Sequence, residues 1–490
     1  MKKTYLILLI LLCVLTAGLF PLDLFVFRVP TWLIYAMLAA DAAALVLFFI
    51  KGGAKVPAKV LAVFLAALTA AASLGGIYID PYFNSINFHS AISPTLPYDT
   101  LIPADKACED IDYVIRYLWK DHPACQEGYD APVIKVADQL KSDILSAGSI
   151  TVNKLAAGIE SALSQLGDAH TCAYTHYAEP LYLKHYYKWK KDGWRITAVN
   201  GLTIKELLAQ CSDLFSFEAE SWELEQMKNM LVDVQGLDYL GFSVQDGITY
   251  TFENDAGEVL SETYHAEDYV TFEEYIAYNG ADSTKRTSTS SFVGFTVDED
   301  RSLAILTLDE CIFNDEYVNC LRDMFTQVKE KGVKNVAVDL RSNGGGSDRT
   351  AVEFIRYLDT DRYRYASETM RLGHFNTPLS ADHVVNERYS DLTFTGSIYV
   401  LSSSASFSSA MLFTQYIKDN GLGTIIGEPP GNDPNGYGET AKFRTPNSGV
   451  LFTISTKRFY RADRNCTDRY VMPDIPCDAD NALDALYSVL

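Results

Sequence analysis

Residues 335–358 read NVAVDLRSNGGGSDRTAVEFIRYL. An apolar run ends at Leu340, three glycines follow at 344–346, and a helix-like pattern resumes at Thr350. Strand, tight turn and helix in that order predict a βαβ unit and a largely parallel sheet. The glycines add a chemical possibility. Without a Cβ, their amides can face a cavity and hold an anion, either a phosphate or the oxyanion of an acyl transfer. No GK[ST] follows and no lysine is near, which argues against phosphate. A plain strand-to-helix turn explains the glycines equally well.

The surrounding segments repeat the alternation. LAILTLDECIF reads as a strand and NDEYVNCLRDMFTQVKEKG as a helix; GSIYVLS, SFSSAMLFTQYIKDNG and GTIIGE read as strand, helix and strand. Functional loops on such sheets gather at the carboxyl ends of the strands. The glycine turn after Arg341 and the serine run after Leu401, LSSSASFSSAMLFT, both occupy that position. Ser408 and Ser409 open a predicted helix, where the dipole favours developing negative charge. The Ser409 amide can pair with a glycine-turn amide to form an oxyanion hole. A serine nucleophile also needs a base. Without one, an N-cap explains these serines better. Of the histidines at 89, 122, 170, 176, 185, 265, 374 and 383, only His170 lies in a compact polar motif, Gly167-Asp168-Ala169-His170-Thr171, at a helix end.

Taken together, LGDAHT, DLRSNGGGS, SSSASFSSAMLF, IIGEPPGNDPNGYGE and PNSGVLFTISTKRF with MPDIP resemble the C-terminal-processing (tail-specific) serine peptidase family, in the branch that includes the tricorn protease core. The resemblance runs over roughly residues 104–490. It implies an α/β fold with a crotonase/ClpP-like βαβ catalytic core. In that family the nucleophile lies 19 residues before the glycine of the GEP motif, which here counts back from Gly427 to Ser408. The bacterial branch uses a lysine 25 residues after the serine, where this chain has Asp433; the nearest downstream lysine is Lys442. The tricorn-like branch uses the histidine of an HT motif, which implies His170 as base. Its acidic partner precedes a Pro-Asp near the C-terminus, which implies Asp468, with Asp463 next. The resemblance further implies oxyanion donors at Gly344 or Gly345 and at Ser409, and neither metal nor organic cofactor.

The first 80 residues hold no Glu and only Asp23, Asp41 and Asp80, and carry apolar stretches at about 4–20, 31–50 and 60–79. Each approaches the length needed to span a bilayer. Lys2, Lys3 and the lysines of 51–59 place the N-terminus and that loop in the cytoplasm, so three crossings leave the rest outside. If 4–20 is a cleaved signal, two spans remain. Asp41 falls inside the second span and is given no role. Beyond residue 80 the chain carries 35 Lys+Arg (41 − 6) and 60 Asp+Glu (63 − 3), a net of −25. Such acidity disfavours nucleic acid and anionic membrane surfaces. Eight cysteines lie outside the spans, an even number that permits disulfides, and no CxxC or Cys/His spacing suggests zinc.

The expected organisation is a membrane anchor (1–80), a linker (81–103), a helical subdomain carrying the His motif (104–180), a β-rich substrate-side domain (181–300) and the α/β catalytic core (301–490). WRITAVNGLTIKELL resembles a segment of the family's substrate-side domain. The reading that follows is a multi-pass, cell-membrane serine endopeptidase facing the extracytoplasmic side, with protein or peptide substrates. The rival is a non-catalytic, membrane-tethered peptide- or ligand-binding protein. A crotonase-like acyl-CoA enzyme is disfavoured by the external location.

Overall fold

The computed structural model describes residues 2–25, 29–52, 55–87, 92–184, 190–191, 193–279, 291–379 and 383–490. His89, His185 and most of DSTKRTSTSS (282–291), a stretch whose Ser/Thr-rich sequence predicts a loop, lie outside the described residues. The chain forms two compact units, residues 1–87 with Arg371–Phe375, and the remainder.

In the first unit, α1 (Lys2–Phe25), α2 (Thr31–Lys51) and α3 (Val56–Ile79) are long and apolar enough to cross a membrane. Their outward faces stay apolar, as at Leu11, Val14, Val46, Val60 and Phe64. Leu9, Cys13, Ala44, Phe48 and Ala62 pack between them. Gly76 lets α1 approach closely, because a Cβ there would fall 2.4 Å from the Phe20 ring. Small residues at close helix contacts are the usual packing device where lipid removes the hydrophobic drive.

The second unit begins with Leu101–Pro103, which pairs antiparallel with Ser149–Thr151. Three helices follow, α4 (Ala104–Asp121), α5 (Ala131–Ala147) and α6 (Val152–Leu163). Next come β1 (Trp194–Val199), the helix α7 (Glu220–Met230) and the hairpin β2 (Ile248–Asn254) and β3 (Val259–Tyr264). This region holds more helix than its Tyr/Thr/Val texture suggests, because Trp222 and Met227 are buried or half-buried one turn and more apart on α7.

The core strands are β4 (Val293–Asp298), β5 (Leu303–Leu308), β6 (Asn335–Asp339), β7 (Ser397–Ser402), β8 (Thr424–Gly427) and a two-residue strand, Ile475–Pro476, in that order across one sheet. β4 runs antiparallel to β5; the remaining pairs are parallel. Side chains alternate between faces. Ala304, Leu306, Val336, Val338 and Val400 enter the main core with helices Asp315–Lys331 and Ser409–Asp419, while Leu303, Ala337, Leu401 and Ile426 meet the C-terminal helix Ala482–Val489. The result is a helix–sheet–helix sandwich. β6 and β7 are neighbours, with Asp339 opposite Leu401, so the glycine turn and the serine run emerge side by side.

A second sheet contains the hairpin β9 (Tyr437–Arg444) and β10 (Leu451–Tyr460). Its turn is fastened to α4 by the fully buried Asp110, which accepts from the Asn447 N–H (2.9 Å), the Ser448 N–H (2.8 Å), the Ser448 hydroxyl (2.5 Å) and the Asn447 amide (2.8 Å). Removing the acceptor strands buried donors, each at a cost of about 1–3 kcal/mol. Asp110→Ala is therefore expected to lower the stability of this unit by about 3 kcal/mol, read as a fall in its denaturation midpoint; an unchanged midpoint would refute the coupling.

Candidate active site

The serine run sorts itself by hydrogen bonding. Ser402, Ser403 and Ser406 donate their hydroxyls to the carbonyls of Glu428 (2.7 Å), Arg341 (2.5 Å) and Leu340 (2.8 Å). Ser404 donates to Glu225 Oε1 (2.8 Å) and Ser409 to the Gly346 carbonyl (2.8 Å). Ser408 is the one serine of the run whose hydroxyl has no partner among the described residues, and it is half-exposed between buried neighbours.

Its backbone is unusual too. Ser408 has φ +56° and ψ −119°, immediately before the helix Ser409–Asp419. That region is sparsely populated by non-glycine residues, and such strain persists only where surrounding contacts hold it. Here the Ser408 N–H donates to Asn432 Oδ1 (2.8 Å) and its carbonyl accepts from the Leu412 N–H (3.0 Å). A sharp strand-to-helix turn of this kind projects a nucleophile from the end of a sheet.

The glycine turn fits against this elbow. Gly345 has φ +106°, and a Cβ there would stand 2.7 Å from Ser408 Cβ, 2.8 Å from the Phe407 carbonyl oxygen and 3.1 Å from the Ser409 nitrogen. The Gly345 N–H is already donated to Asn343 Oδ1 (2.8 Å). Of the expected donors, Gly344 and Ser409 have amides that carry no hydrogen bond among the described residues, and the second opens a helix, where N–H groups lack intrahelical partners.

His170 follows α6 through a turn at Gly167 (φ +61°). Its ring lies against Phe407, the residue before Ser408, with centroids 4.6 Å apart, and Phe407 in turn stacks on Trp222 of α7 at 4.0 Å. Both ring nitrogens are buried without a hydrogen bond. Apo serine–base hydrogen bonds are often open and close only around substrate. The segment is stitched to β10: Thr171 Oγ1 accepts from the Ser455 N–H (2.9 Å), and the Thr453 hydroxyl donates to the His170 carbonyl (2.7 Å).

Asp168 is fully buried beside His170. Its Oδ1 accepts from the His170 N–H (2.9 Å) and stands 3.9 Å from His170 Nδ1. Its Oδ2 lies 3.0 Å from His122 Nε2. The Ala124 N–H donates to His122 Nδ1 (3.1 Å), so the His122 proton sits on Nε2 and points at Asp168. Burial raises the Asp168 carboxyl, but the His122 hydrogen bond and the two imidazoles outweigh it and hold the group at about 2. Burial, partly offset by Asp168, lowers the His170 pKa below its ordinary 6.5. Burial thus favours the neutral imidazole.

The other expected groups lie elsewhere. Asp468 is exposed, its main-chain carbonyl accepting from Arg461 (3.0 Å), and it forms no ion pair with His170. Asp463 pairs with Arg364 (3.2 Å). Lys442 sits in β9 opposite Thr453, with Nζ 5.9 Å from the Tyr174 ring centroid. Asp433 offers its N–H to Glu218 Oε2 (2.6 Å). Sequence reasoning missed His122, Asn343 and Glu218, since no local spacing links them to positions 168 or 408.

Residues 303–477 match the model of peptidase family S41. The chain carries a peptidase family S41 domain. The match covers 175 of the 490 residues (477 − 303 + 1), and the family it names is one of peptidases. The S41 domain contains the glycine turn and Ser408, whereas Asp168, His170 and Glu218 precede it. Among solved structures, mature CPAF complexed with lactacystin is 12% identical with a TM-score of 0.56, over 79% of this chain and 96% of that one. Mature CPAF alone is 13% identical with the same TM-score, over 79% and 95%. These likenesses show the fold. No curated protein matches the sequence.

Gly345→Ala tests how tightly the S41 glycine turn is set against the elbow. The added Cβ must displace Ser408, and displacements near 1 Å cost about 10²-fold in rate. Peptide hydrolysis by this variant is expected to fall by at least that factor while the helical content by circular dichroism is kept; wild-type turnover would overturn the packing argument.

Proposed function

We propose that this chain is a membrane-anchored serine endopeptidase that cleaves extracytoplasmic proteins or peptides through an acyl-enzyme on Ser408. The observation that carries it is the unpartnered Ser408 hydroxyl on a strained elbow, with the next residue's amide open and the His170 ring packed on Phe407, the residue before it. The proposed organisation is an anchor over 1–80, a linker over 81–103, a helical subdomain over 104–180, an insert on the substrate side over 181–300 and a catalytic core over 301–490. The apolar helices and the lysines flanking them support the anchor and its sidedness.

In this mechanism His170 takes the Ser408 proton as Oγ attacks the scissile carbonyl carbon. The Gly344 and Ser409 N–H groups face the oxyanion, and Gly345 supplies clearance. Protonated His170 hands the proton to the departing amine as the C–N bond breaks, and water then hydrolyses the ester. Asp168, kept ionised by His122, is the carboxylate we place behind the imidazolium, because it is buried next to the ring while Asp468 is exposed.

Activity-based labelling decides the matter. Wild type is expected to react with a serine-directed fluorophosphonate, and Ser408→Ala to lose both labelling and, by roughly 10⁶-fold, peptide hydrolysis. Equal labelling of the two proteins would sink the assignment. His170→Ala is expected to lose hydrolysis to a similar degree; full activity there would return the base role to a lysine such as Lys442. A chain that binds peptide but never labels would be the non-catalytic rival.

A further inference from the structure

Donor atoms of Asp168, His170 and Glu218 lie within 4.8 Å of one another. The carboxyl of Glu218 comes from the segment leading into α7, far in sequence from the HT motif. That segment is held in place: the Glu218 carbonyl accepts from Arg469 (2.8 Å) and from the Tyr470 hydroxyl (3.0 Å). Gly436 leaves room for the side chain, since a Cβ there would meet Glu218 Oε1 at 2.7 Å. Glu218 is only 7% exposed, yet its Oε1 has no hydrogen bond, and neither has either nitrogen of His170. Three inward-facing donors, two of them buried and unpartnered, are costly to leave unmatched.

We propose that Asp168, His170 and Glu218 form an inhibitory site for a divalent transition metal, with Zn²⁺ as the best-suited ion. One imidazole nitrogen and two carboxylate oxygens suit zinc, which accepts three protein ligands and leaves its fourth position to water. Calcium requires six or more oxygens and magnesium keeps its own waters, so neither is matched. Donors 2.0–2.2 Å from a tetrahedral ion stand roughly 3.4 Å apart. His170 Nδ1 and Asp168 Oδ1 stand 3.9 Å apart and all three donors lie within 4.8 Å of one another, so closing the set takes shifts of roughly 0.5–1.4 Å. No Cys/His spacing announces the site, because its third ligand is supplied by the insert. Metal on His170 occupies the imidazole, so base function and metal binding exclude each other. That inhibitory consequence rests on the reading of His170 as base; the binding itself does not.

The test uses the full chain in detergent micelles, with ZnCl₂ as the probe. Calorimetric titration of wild type is expected to show a site that Glu218→Gln weakens at least tenfold, while CaCl₂ and MgCl₂ give no heat of binding there. Zinc is expected to suppress hydrolysis and fluorophosphonate labelling of wild type, with recovery on chelation. Equal zinc affinity in Glu218→Gln overturns the site, and undiminished labelling of zinc-saturated wild type overturns its inhibitory role. If that variant does not fold, the cobalt(II) spectrum of the unaltered chain decides. A nitrogen/oxygen-ligated d–d spectrum supports the site, and a thiolate charge-transfer band overturns it by placing the metal on cysteine. If metal-free wild type never labels, the peptidase reading fails while the affinity comparison still reads the metal site.

Discussion

Asn343 is the residue on which the edge of the sheet that carries Ser408 depends. Its fully buried side chain donates to the Leu308 carbonyl (2.8 Å) and accepts from the Gly345 N–H (2.8 Å), while the Asn343 main-chain carbonyl accepts from the Phe407 N–H (3.0 Å). One residue thus ties together the end of β5, the turn after β6 and the loop after β7. The strain at Ser408 is sustainable because both flanks are held: Phe407 by Asn343, and the Ser408 amide by Asn432. A nucleophile with free rotation about that backbone would have no fixed relation to the two open amides.

Electrostatics around His170 follow from a second chain of contacts. The N–H of Ala124, at the start of the turn after α4, sets the tautomer of His122; His122 then donates to Asp168 and stabilises its charge. Asp168 in turn fixes the His170 main chain and stands beside its ring. A buried carboxylate is tolerated only when such donors meet it. The helical layer therefore sets the surroundings of His170, and Asp110, which ties α4 to the β9–β10 turn, keeps it in register with the strand that grips Thr171 and His170.

The elements legible in the sequence are those with strong local period. The apolar stretches at 4–20, 31–50 and 60–79 are the helices α1, α2 and α3, and WRITAVNG, NVAVDLR, GSIYVLS and GTIIGE are strands in the structure. The insert was less legible: Glu220–Met230 is a helix with Trp222 turned onto Phe407, a contact that no period in its polar sequence reveals. The linker-like 81–103 ends in a short strand, Leu101–Pro103, because Ser149–Thr151 offers it a partner.

The three glycines after β6 and the serine run after β7 were legible by themselves as loops at strand ends, and the structure sets those ends side by side. Both features depend on residues near one another in the chain, where spacing and the absence of a Cβ act directly. Which acid stands by His170 was decided only by the tertiary structure. Asp168 and Glu218 are 50 positions apart (218 − 168), and Glu218 enters from an insert between the histidine and the serine. Burial sets the state of each carboxyl, and burial is a property of the packed chain. The same holds for the Gly345 amide, an apparent oxyanion donor in the sequence that the fold spends on Asn343.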